Sequence, residues 1–361
     1  MEKFCSIIYA NRDRDPARIN LSFDSLSKQS ISNFEVIFVD YGSDPKLVSE
    51  YKKLSEQYDF VKFFSLEVSH LLWNKSKALN FGIAKAETPF IFIADVDLIF
   101  HSDSLNLLEN LSSTKKFFLF KLGYLDKKTS QALEQRHSYD ALVPTRYGNV
   151  NGMVLVSKSA LLEVNGLDEF FHFYGAEDED LFGRLEMAGY VREEQPNEYF
   201  YHNWHQSFSA GSDKNLSLNP RIKNAMRINQ RHFYSNIENG IIKPVGQKEI
   251  SSSSERKVYQ LKDPDFRKEI KNILAHVEHF LRVELPSLKG KVVEVQFSQD
   301  PYYNSVKHHI KKIAGRDTQP LISMKVLNDM VLKEIIFNYR DHAYSYKISE
   351  DYKNIIFRVC L

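Results

Sequence analysis

Short apolar segments alternate with longer mixed segments through the first half of the sequence, and this alternation restricts the possible folds more than any other feature. Residues 4–9 (FCSIIY), 34–39 (FEVIFV) and 89–94 (PFIFIA) are typical of buried strands, and residues 18–28 and 75–86 have helical spacing. Strands that alternate with helices favour βαβ units and a mostly parallel sheet. We therefore expect an α/β fold that binds its ligand beyond the carboxyl ends of the strands.

The character of the sequence changes near residue 243. Residues 244–258, which include a proline, a glycine and a run of serines, are typical of a linker. Beyond them, strand-like runs such as residues 334–339 accompany an amphipathic stretch. The sequence thus predicts one large α/β domain over residues 1–243 and a small α+β domain of unassigned role over residues 259–361.

Charge and cysteine content exclude several classes of protein. There are 48 Lys and Arg residues and 47 Asp and Glu residues, so the net charge of +1 gives no electrostatic case for nucleic-acid binding. Two cysteines, Cys5 and Cys360, rule out a disulfide framework and a four-cysteine zinc site. No transmembrane segment or signal peptide is recognisable. We expect a cytoplasmic protein, either free or associated peripherally with the inner face of a membrane.

Polar residues follow the predicted strands at one edge of the sheet. Asp95 and Asp97 come directly after the third apolar run, and in an extended chain both carboxylates would project to the same side. There they could hold Mg²⁺ or Mn²⁺, or they could simply form a solvated turn. Asp40 ends the second strand, and Asn11 and Arg12 follow the first, so these three residues would share that edge.

A run of four acidic residues, 177–180, begins a predicted helix. Acids are favoured in the first turn of a helix, so a purely structural role is open. Asp178, however, shares a helical stripe with the apolar Leu181 and Leu185, which puts it at the mouth of the buried face. A carboxylate in that position beside a cleft is a candidate general base.

Two more segments could contribute ligands. His202 and His205 flank Trp204, and a neutral imidazole there would be either a third metal ligand or a packed core residue. Trp204 itself would be a packed aromatic residue. Lys75 and Lys77 on a predicted helix would either face solvent or reach a phosphate.

Together these segments resemble the GT-A fold of nucleotide-sugar-dependent glycosyltransferases. The similarity is to the inverting family 2, which includes bacterial chondroitin and heparosan-type polymerases, and the acidic helix is similar to that of the β-1,4-galactosyltransferase group. The segments that carry it, in the order of the family, are SIIYANRDRD, FEVIFVDYGSD, NKSKALNFGIAKAETPFIFIADVDLIF, NGLDEFFHFYGAEDEDLFGRLEMAGY and YHNWH. The resemblance covers residues 3–235 and stops near the predicted linker.

The resemblance implies roles for the acids and for one histidine. Asp95 and Asp97 match the pair that binds the metal, Mn²⁺ or Mg²⁺, together with the ribose or diphosphate of the donor. His205, in preference to His202, would complete the metal shell. Asp178 matches the catalytic base.

The resemblance also implies contacts with the substrates. Asp40 would lie near the nucleotide base, although Tyr41 stands where the family has a second aspartate. Lys77 replaces a frequent arginine, and Glu179 and Asp180 fall where relatives contact the acceptor. The residues expected to bind substrate are Asn11, Arg12, Asp40, Lys77, Asp95, Glu177, Glu179, Asp180 and Trp204.

The implied activity is inverting transfer of a sugar from a nucleotide-sugar, with UDP as the expected nucleotide, to a hydroxyl of a glycan or glycolipid acceptor in surface polysaccharide synthesis. A sugar nucleotidyltransferase is one alternative, but it would need a glycine-rich basic loop where NRDRDP stands after the first strand. A non-catalytic carbohydrate-binding or scaffold protein is another, and the acids at positions 95, 97 and 178 argue against it. The donor sugar, the acceptor and the oligomeric state are left open.

Overall fold

The computed structural model describes residues 2–148, 152–205, 212–250, 261, 263–314 and 320–361. The contacts divide the chain into two compact units. The first unit comprises Met1–Ser69, Trp73–Ser207 and Met226–Ser253, and the second comprises His70–Leu72, Phe208–Ala225 and Ser254–Leu361. Among the described residues, no helix combines the length and the apolar character needed to span a bilayer.

The strands of the first unit lie mainly in one large sheet. In chain order they are β1 (Cys5–Asn11), β2 (Phe34–Tyr41), β3 (Val61–Leu66), β4 (Phe90–Ala94), β5 (Leu98–Phe100), β6 (Lys116–Phe120), β7 (Leu122–Tyr124), β8 (Arg146–Gly148), β9 (Val154–Ser157), β10 (Val191–Gln195) and β11 (Phe200–His202). In the described part of the chain, seven of them form a sheet in the order β10-β6-β9-β4-β1-β2-β3. Only β9 runs antiparallel to its neighbours in that sheet, which confirms the predicted mostly parallel α/β sheet.

A smaller sheet extends the first unit at the end of β4. Its order is β5-β11-β7-β8. Strand β11 pairs antiparallel with β5, and His202 lies opposite Leu98. This register sets the end of β11 directly beside the residues that connect β4 to β5.

Helices cover the sheet, and several of them begin at side-chain caps. They are α1 (Pro16–Ser27), α2 (Pro45–Ser55), α3 (Lys75–Lys85), α4 (Ser104–Leu111), α5 (Lys127–Gln131), α6 (Lys158–Glu163), α7 (Glu177–Met187) and α8 (Ala225–Glu238). Asp15 and Asp44 cap α1 and α2, each just before a proline, and Asn74 caps α3. An aspartate or asparagine cap satisfies a backbone N–H of the first turn, and proline at the first helical position has no N–H that needs a partner.

The core lies on both faces of the large sheet because the strands alternate their side chains. Ile7 and Tyr9 of β1 pack with the cluster on one face, and Ile8 packs with the cluster on the other. Leu181 and Leu185 of α7 belong to the second cluster, as their stripe predicts. Burial of this stripe fixes α7 against the sheet near the residues that follow β4.

The second unit is a small α+β domain, as predicted. Its strands are β12 (Phe266–Lys271), β13 (Val292–Ser298), β14 (Tyr344–Ile348) and β15 (Asn354–Cys360), and its helices are α9 (Leu274–His279), α10 (Leu285–Ser287), α11 (Val306–Ile313) and α12 (Met324–Glu334). The sheet order is β12-β13-β15-β14. Segment His70–Leu72 joins this unit, since Tyr346 donates its backbone N–H to the carbonyl of His70 at 3.1 Å.

One strand prediction in this unit is wrong. Residues 334–339 do not form a strand: α12 continues into a π-helical turn at Ile335–Tyr339. Ile335 and Ile336 are buried in register with Val331 and Leu332 of α12, so they extend the apolar stripe of a helix. Tertiary packing here overrides the strand preference of a β-branched, aromatic segment.

The predicted linker at residues 244–258 is partly outside the described residues. In its described part, Ile250 is 5% exposed and packs in the first unit. Gln247 donates to the carbonyls of Asn165 and Leu167 at 2.9 and 3.0 Å. These residues are therefore anchored to the first unit, and the domain boundaries 1–243 and 259–361 stay a prediction.

Candidate active site

Asp97 and two histidines converge between β4 and β11. Asp97 is 5% exposed. Its Oδ1 lies 3.8 Å from Nε2 of His202, and its Oδ2 lies 3.8 Å from Nε2 of His205. One ligand atom from each of the three residues lies within 4.8 Å of the other two. The pairing of β11 with β5 produces this cluster from residues a hundred positions apart.

The chemistry of these three side chains fits a divalent transition metal. One carboxylate and two imidazoles form a donor set that suits Mn²⁺ or Fe²⁺ better than Mg²⁺, which prefers oxygen ligands. Burial lowers the pKa of His202, although the nearby Asp97 and Asp95 oppose this shift. His202 is thereby kept in the neutral form that can donate a lone pair to a metal.

Arg18 of α1 holds Asp97 in position through an ion pair. Its Nη2 donates to Oδ2 of Asp97 at 2.7 Å and to the carbonyl of Asn203 at 3.1 Å. A residue that binds a ligating carboxylate and the adjacent backbone together holds both in place. The sequence analysis missed Arg18, because it is 79 residues away from Asp97 and carries no local motif.

Asp95 occupies a different position from the one that its sequence pattern predicts. Residues 96 and 97 form a turn, so the chain is not extended across Asp95 and Asp97. The Oδ1 of Asp95 accepts from Nζ of Lys75 at 2.8 Å, and Asp95 is not one of the clustered metal-ligating groups. The positive charge of Lys75 lowers the pKa of Asp95. A role for Asp95 as metal ligand stays a prediction.

Lys75 connects Asp95 to the acidic start of α7. It is the first residue of α3, and its Nζ lies 4.0 Å from Oε1 of Glu177. Burial alone would lower the pKa of Lys75, but Asp95, Glu177 and Asp178 together raise it. Lys75 is therefore a persistent positive charge among three carboxylates.

Glu177 and Asp178 begin α7 after a turn in left-handed backbone. Gly175 has φ 98° and Ala176 has φ 71°, and the backbone N–H of Gly175 donates to Oε2 of Glu177 at 3.0 Å. The Oδ1 of Asp178 accepts from the backbone N–H of Glu179 at 2.9 Å. Burial, and then the neighbouring charge of Asp178, raise the pKa of Glu177 against the opposing effect of Lys75.

Gly152 leaves space between Lys75 and Asp178. A methyl group at this position would lie 3.6 Å from Nζ of Lys75 and 3.9 Å from Oδ2 of Asp178. A cavity of about 10 Å³, room for about one water molecule, lies here. It is lined by Lys75, Leu79, Ile93, Gly152, Val154, Leu167, Glu177, Asp178, Leu181 and Phe182. Glu177 and Asp178 therefore lie beside apolar side chains, where electrostatic interactions are stronger than in water.

Asp40 is not exposed at the sheet edge but fully buried. Its Oδ1 accepts from Nδ2 of Asn11 at 3.0 Å and from the Ser43 hydroxyl, and its Oδ2 accepts from the backbone N–H of Ser43 at 3.1 Å. Burial raises the pKa of Asp40 despite these hydrogen bonds. In this structure Asp40 and Asn11 shape the loop after β2, and their predicted contact with the nucleotide stays a prediction.

Three other residues predicted to bind substrate belong neither to the cluster of Asp97 with the two histidines nor to the ion pairs of Lys75. Arg12 donates to the carbonyl of Ser69 at 2.9 Å. The Nζ of Lys77 lies 3.7 Å from Oε2 of Glu169. Trp204, which is 41% exposed, lies next to His205 with Nζ of Lys127 5.4 Å from the centre of its ring. A contact of Trp204 with a sugar stays a prediction.

The structure places Glu179 and Asp180 away from Asp178. Glu179 is 3.4 Å from Nη1 of Arg192. Asp180 is 0% exposed, binds Nε of Arg184 at 2.7 Å and accepts from Nδ2 of Asn236 at 2.8 Å. Asp180 is thus a buried, paired residue that anchors α7, and its expected contact with an acceptor stays a prediction.

Two tyrosines lie near the candidate site. The ring of Tyr124 lies 5.5 Å from that of His202, and the guanidinium of Arg146 lies 3.8 Å from the centre of the Tyr124 ring. Tyr174, shortly before α7, is 65% exposed. No local pattern marks Tyr124, because tyrosine is common in this sequence.

Two family models match the part of the chain that contains the site. Residues 6–151 match the family described as glycosyl transferase family 2. Residues 139–206 match the family described as the N-terminal domain of galactosyltransferase. The first match contains Asp95 and Asp97, and the second contains Glu177, Asp178 and both histidines. No curated protein is similar enough to the sequence to count as a match.

Several solved structures are similar at low identity. Residues 1–349 of TarS from S. aureus are 16% identical over 55% of this chain and 60% of that chain, with a TM-score of 0.42. The mannosyltransferase PcManGT from Pyrobaculum calidifontis, in complex with GDP-Man and Mn²⁺, is 14% identical over 59% of this chain and 60% of that chain, with a TM-score of 0.43. GalNAc-T7 with UDP, GalNAc and Mn²⁺ is 14% identical over 56% of this chain and 43% of that chain, with a TM-score of 0.43.

This chain thus spans less than two thirds of each of these structures. The family matches, in contrast, overlap and run through the whole candidate site. The part of the chain that contains the site is therefore similar to glycosyltransferase domains over residues 6–206.

Proposed function

We propose that this chain is an inverting, metal-dependent glycosyltransferase that moves a sugar from a nucleotide-sugar to a hydroxyl group of a glycan or glycolipid. One observation carries the proposal. The charges of His202 and Asp95 interact, Asp95 binds Lys75, and Lys75 lies 4.0 Å from Glu177 at the start of α7. We infer that the metal-binding group and the candidate base share one polar surface.

The donor side of this surface suits a diphosphate. Asp97, His202 and His205 would hold the cation, and two nitrogen ligands favour Mn²⁺ over Mg²⁺. When bound, such an ion neutralises the charge that develops on the diphosphate leaving group. Lys75 adds a fixed positive charge beside Asp95, and Arg18 keeps Asp97 oriented.

The acceptor side needs one base. Asp178 would take the proton of the acceptor hydroxyl through Oδ2, since its Oδ1 already accepts from the helix backbone. The hydroxyl oxygen then forms a bond to the anomeric carbon while the bond from that carbon to the diphosphate breaks. A single displacement of this kind inverts the anomeric carbon.

We propose UDP as the nucleotide. TarS has been solved in complex with UDP, and GalNAc-T7 has been solved with UDP, GalNAc and Mn²⁺. The mannosyltransferase PcManGT has been solved with GDP-Man instead, so GDP is the competing nucleotide. Synthesis of a surface polysaccharide at the cytoplasmic face of a membrane is the setting that we propose for this activity.

The experiment compares two acids of α7. Asp178→Asn keeps the oxygen that accepts from Glu179 but cannot take up a proton, so turnover of UDP-sugars with Mn²⁺ should fall at least about 100-fold. The increase in melting temperature caused by UDP and Mn²⁺ should be unchanged in this variant. Glu186→Gln, at an exposed position near the other end of the same helix, should retain turnover.

Two results would contradict the proposal. One is normal turnover by Asp178→Asn, which would assign the proton to another group. The other is a product that retains the anomeric configuration of the donor when it is examined by NMR. The protein could also fail to hydrolyse or transfer sugar from UDP-, GDP-, CMP- and dTDP-sugars and yet bind a glycan tightly. That result would favour the non-catalytic alternative.

A further inference from the structure

Helix α11 of the second unit presents its apolar side to solvent. Val306, Ile310 and Ile313 are 77%, 61% and 87% exposed. At 100° per residue they fall within about 60° of one another around the helix axis. A helix of a globular protein ordinarily turns such a stripe toward the core, so α11 has the reverse orientation.

The opposite side of α11 contacts the residues just before the helix. His308 lies roughly opposite Val306 on the helix, and its ring is 5.2 Å from that of Tyr302 and 6.0 Å from that of Tyr303. The backbone N–H of His308 also donates to the hydroxyl of Ser305 at 3.1 Å. These contacts, which all lie within residues 302–308, leave the apolar stripe uncovered.

Positive charge lies along one flank of the stripe. Residues 302–314 (YYNSVKHHIKKIA) include three lysines and no acidic residue. Lys307 follows Val306 directly, and Lys311, whose Nζ lies 5.9 Å from the centre of the Tyr302 ring, follows Ile310. An exposed apolar stripe with lysines along its flank is complementary to an anionic lipid surface, where the apolar residues enter the interface and the lysines meet the headgroups.

We infer that α11 is a lipid-binding helix that attaches this chain to anionic membranes. The size of the stripe favours a membrane over a protein partner. Three residues over two helical turns extend about 10 Å. This is far smaller than the roughly 20–30 residues on each side of a stable protein interface. A few apolar side chains and basic residues are enough for reversible binding to a bilayer surface.

The test is co-sedimentation of the full chain with vesicles. Vesicles of phosphatidylcholine that contain about one third phosphatidylglycerol should pellet the protein, and vesicles of phosphatidylcholine alone should pellet much less. The double variant Ile310→Ser, Ile313→Ser should lose at least about tenfold in partitioning. Lys307→Gln combined with Lys311→Gln should lose about tenfold or more on the anionic vesicles, and its binding should depend less on salt.

A matched control separates this surface from exposed apolar residues in general. Val283 is 58% exposed elsewhere in the same unit, and Val283→Ser should bind vesicles as the unchanged protein does. Circular dichroism and thermal melting verify that each variant folds; since the substituted side chains are exposed, we expect no loss. Failure of the unchanged protein to pellet with anionic vesicles overturns the inference. So does equal binding by Ile310→Ser, Ile313→Ser, or self-association in light scattering that this variant abolishes without vesicle binding.

Discussion

The ammonium group of Lys75 lies 2.8 Å from a carboxylate oxygen of Asp95, and the same group is 4.0 Å from Glu177. One side chain on α3 thus connects the residues after β4 to the first turn of α7. Three carboxylates would otherwise repel one another across this part of the site. The charge of Lys75 is therefore central to both the stability and the chemistry of the site.

Removal of this charge should affect both. We expect Lys75→Met to lower the free energy of unfolding by roughly 1–3 kcal/mol, because Asp95 and Glu177 lose their partner. Turnover should also fall at least about 100-fold, since the positive charge beside the donor site is lost. Urea denaturation and steady-state kinetics measure the two effects.

Lys85→Met provides the comparison on the same helix. Lys85 is the exposed last residue of α3, so its loss should leave turnover nearly unchanged. Equal turnover in the two lysine variants would show that Lys75 has no special part in the reaction.

Metal binding should depend on both histidines. His202→Ala and His205→Ala should each weaken Mn²⁺ binding at least about tenfold in calorimetric titration, because each removes one clustered ligand. His137→Ala, at an exposed position, should not change it. EDTA should abolish turnover, and Mn²⁺ should restore it better than Mg²⁺.

Asp95→Asn tests whether the metal is held by Asp97 and the two histidines alone or by Asp95 as well. If Lys75 rather than the metal holds Asp95, the variant should retain most of its Mn²⁺ affinity. A loss as large as that of His205→Ala would restore Asp95 to the metal shell.

Gly42 should not tolerate a side chain. Its φ is 76°, and a Cβ there would lie 2.6 Å from the carbonyl carbon of Val68 and overlap the backbone of Ser69. Gly42→Ala should cost about 2 kcal/mol or more, from the left-handed backbone and the clash together. Gly189→Ala isolates the first effect, since φ is 95° and an added Cβ would meet no described atom within 4 Å. Similar unfolding free energies for the two variants would exclude the clash as a cause.

Acid should weaken the ion pairs of Glu35. Burial would raise the pKa of Glu35, but Lys62 at 2.9 Å and the Ser6 hydroxyl at 2.8 Å lower it below its usual value. A lowered pKa means that folding favours the ionised form. The resulting stability is present above the ordinary pKa of glutamate, near 4.5, and disappears as the pH falls through the lower value in the folded protein.

Glu35→Gln tests this dependence. It should destabilise the protein at pH 7 by roughly 1–3 kcal/mol, and the difference from the unchanged protein should shrink in strong acid. Glu87→Gln, also near Lys62 but 85% exposed, should have little effect. A destabilisation by Glu35→Gln that does not change with pH would point to lost packing instead.

The periodicity of the sequence predicted the large sheet well because each central strand is a short apolar run with a turn after it. Packing could not be predicted in the same way. Residues 334–339 look like a strand, yet their isoleucines continue the buried stripe of α12. The local preference for a strand is overridden here, because the preceding helix already buries an apolar face in the same register.

The candidate site shows the same division between local and distant information. Asp95 and Asp97 are recognisable from their spacing. Because a turn lies between them, however, Asp95 binds Lys75 whereas Asp97 lies beside the two histidines. Arg18 is brought to Asp97 only by the packing of α1. The roles of all these residues stay predictions until the variants above are measured.

The buried contacts of Asp180 with Arg184 and Asn236 limit how the position of Asp178 could be altered. These contacts hold α7 in place within one turn of Asp178, so they also fix the position of the Asp178 carboxylate. An attempt to accommodate a bulkier sugar by loosening the surface loop before α7 would leave the carboxylate where it is. To move it, a designer would have to rebuild the polar core under the helix.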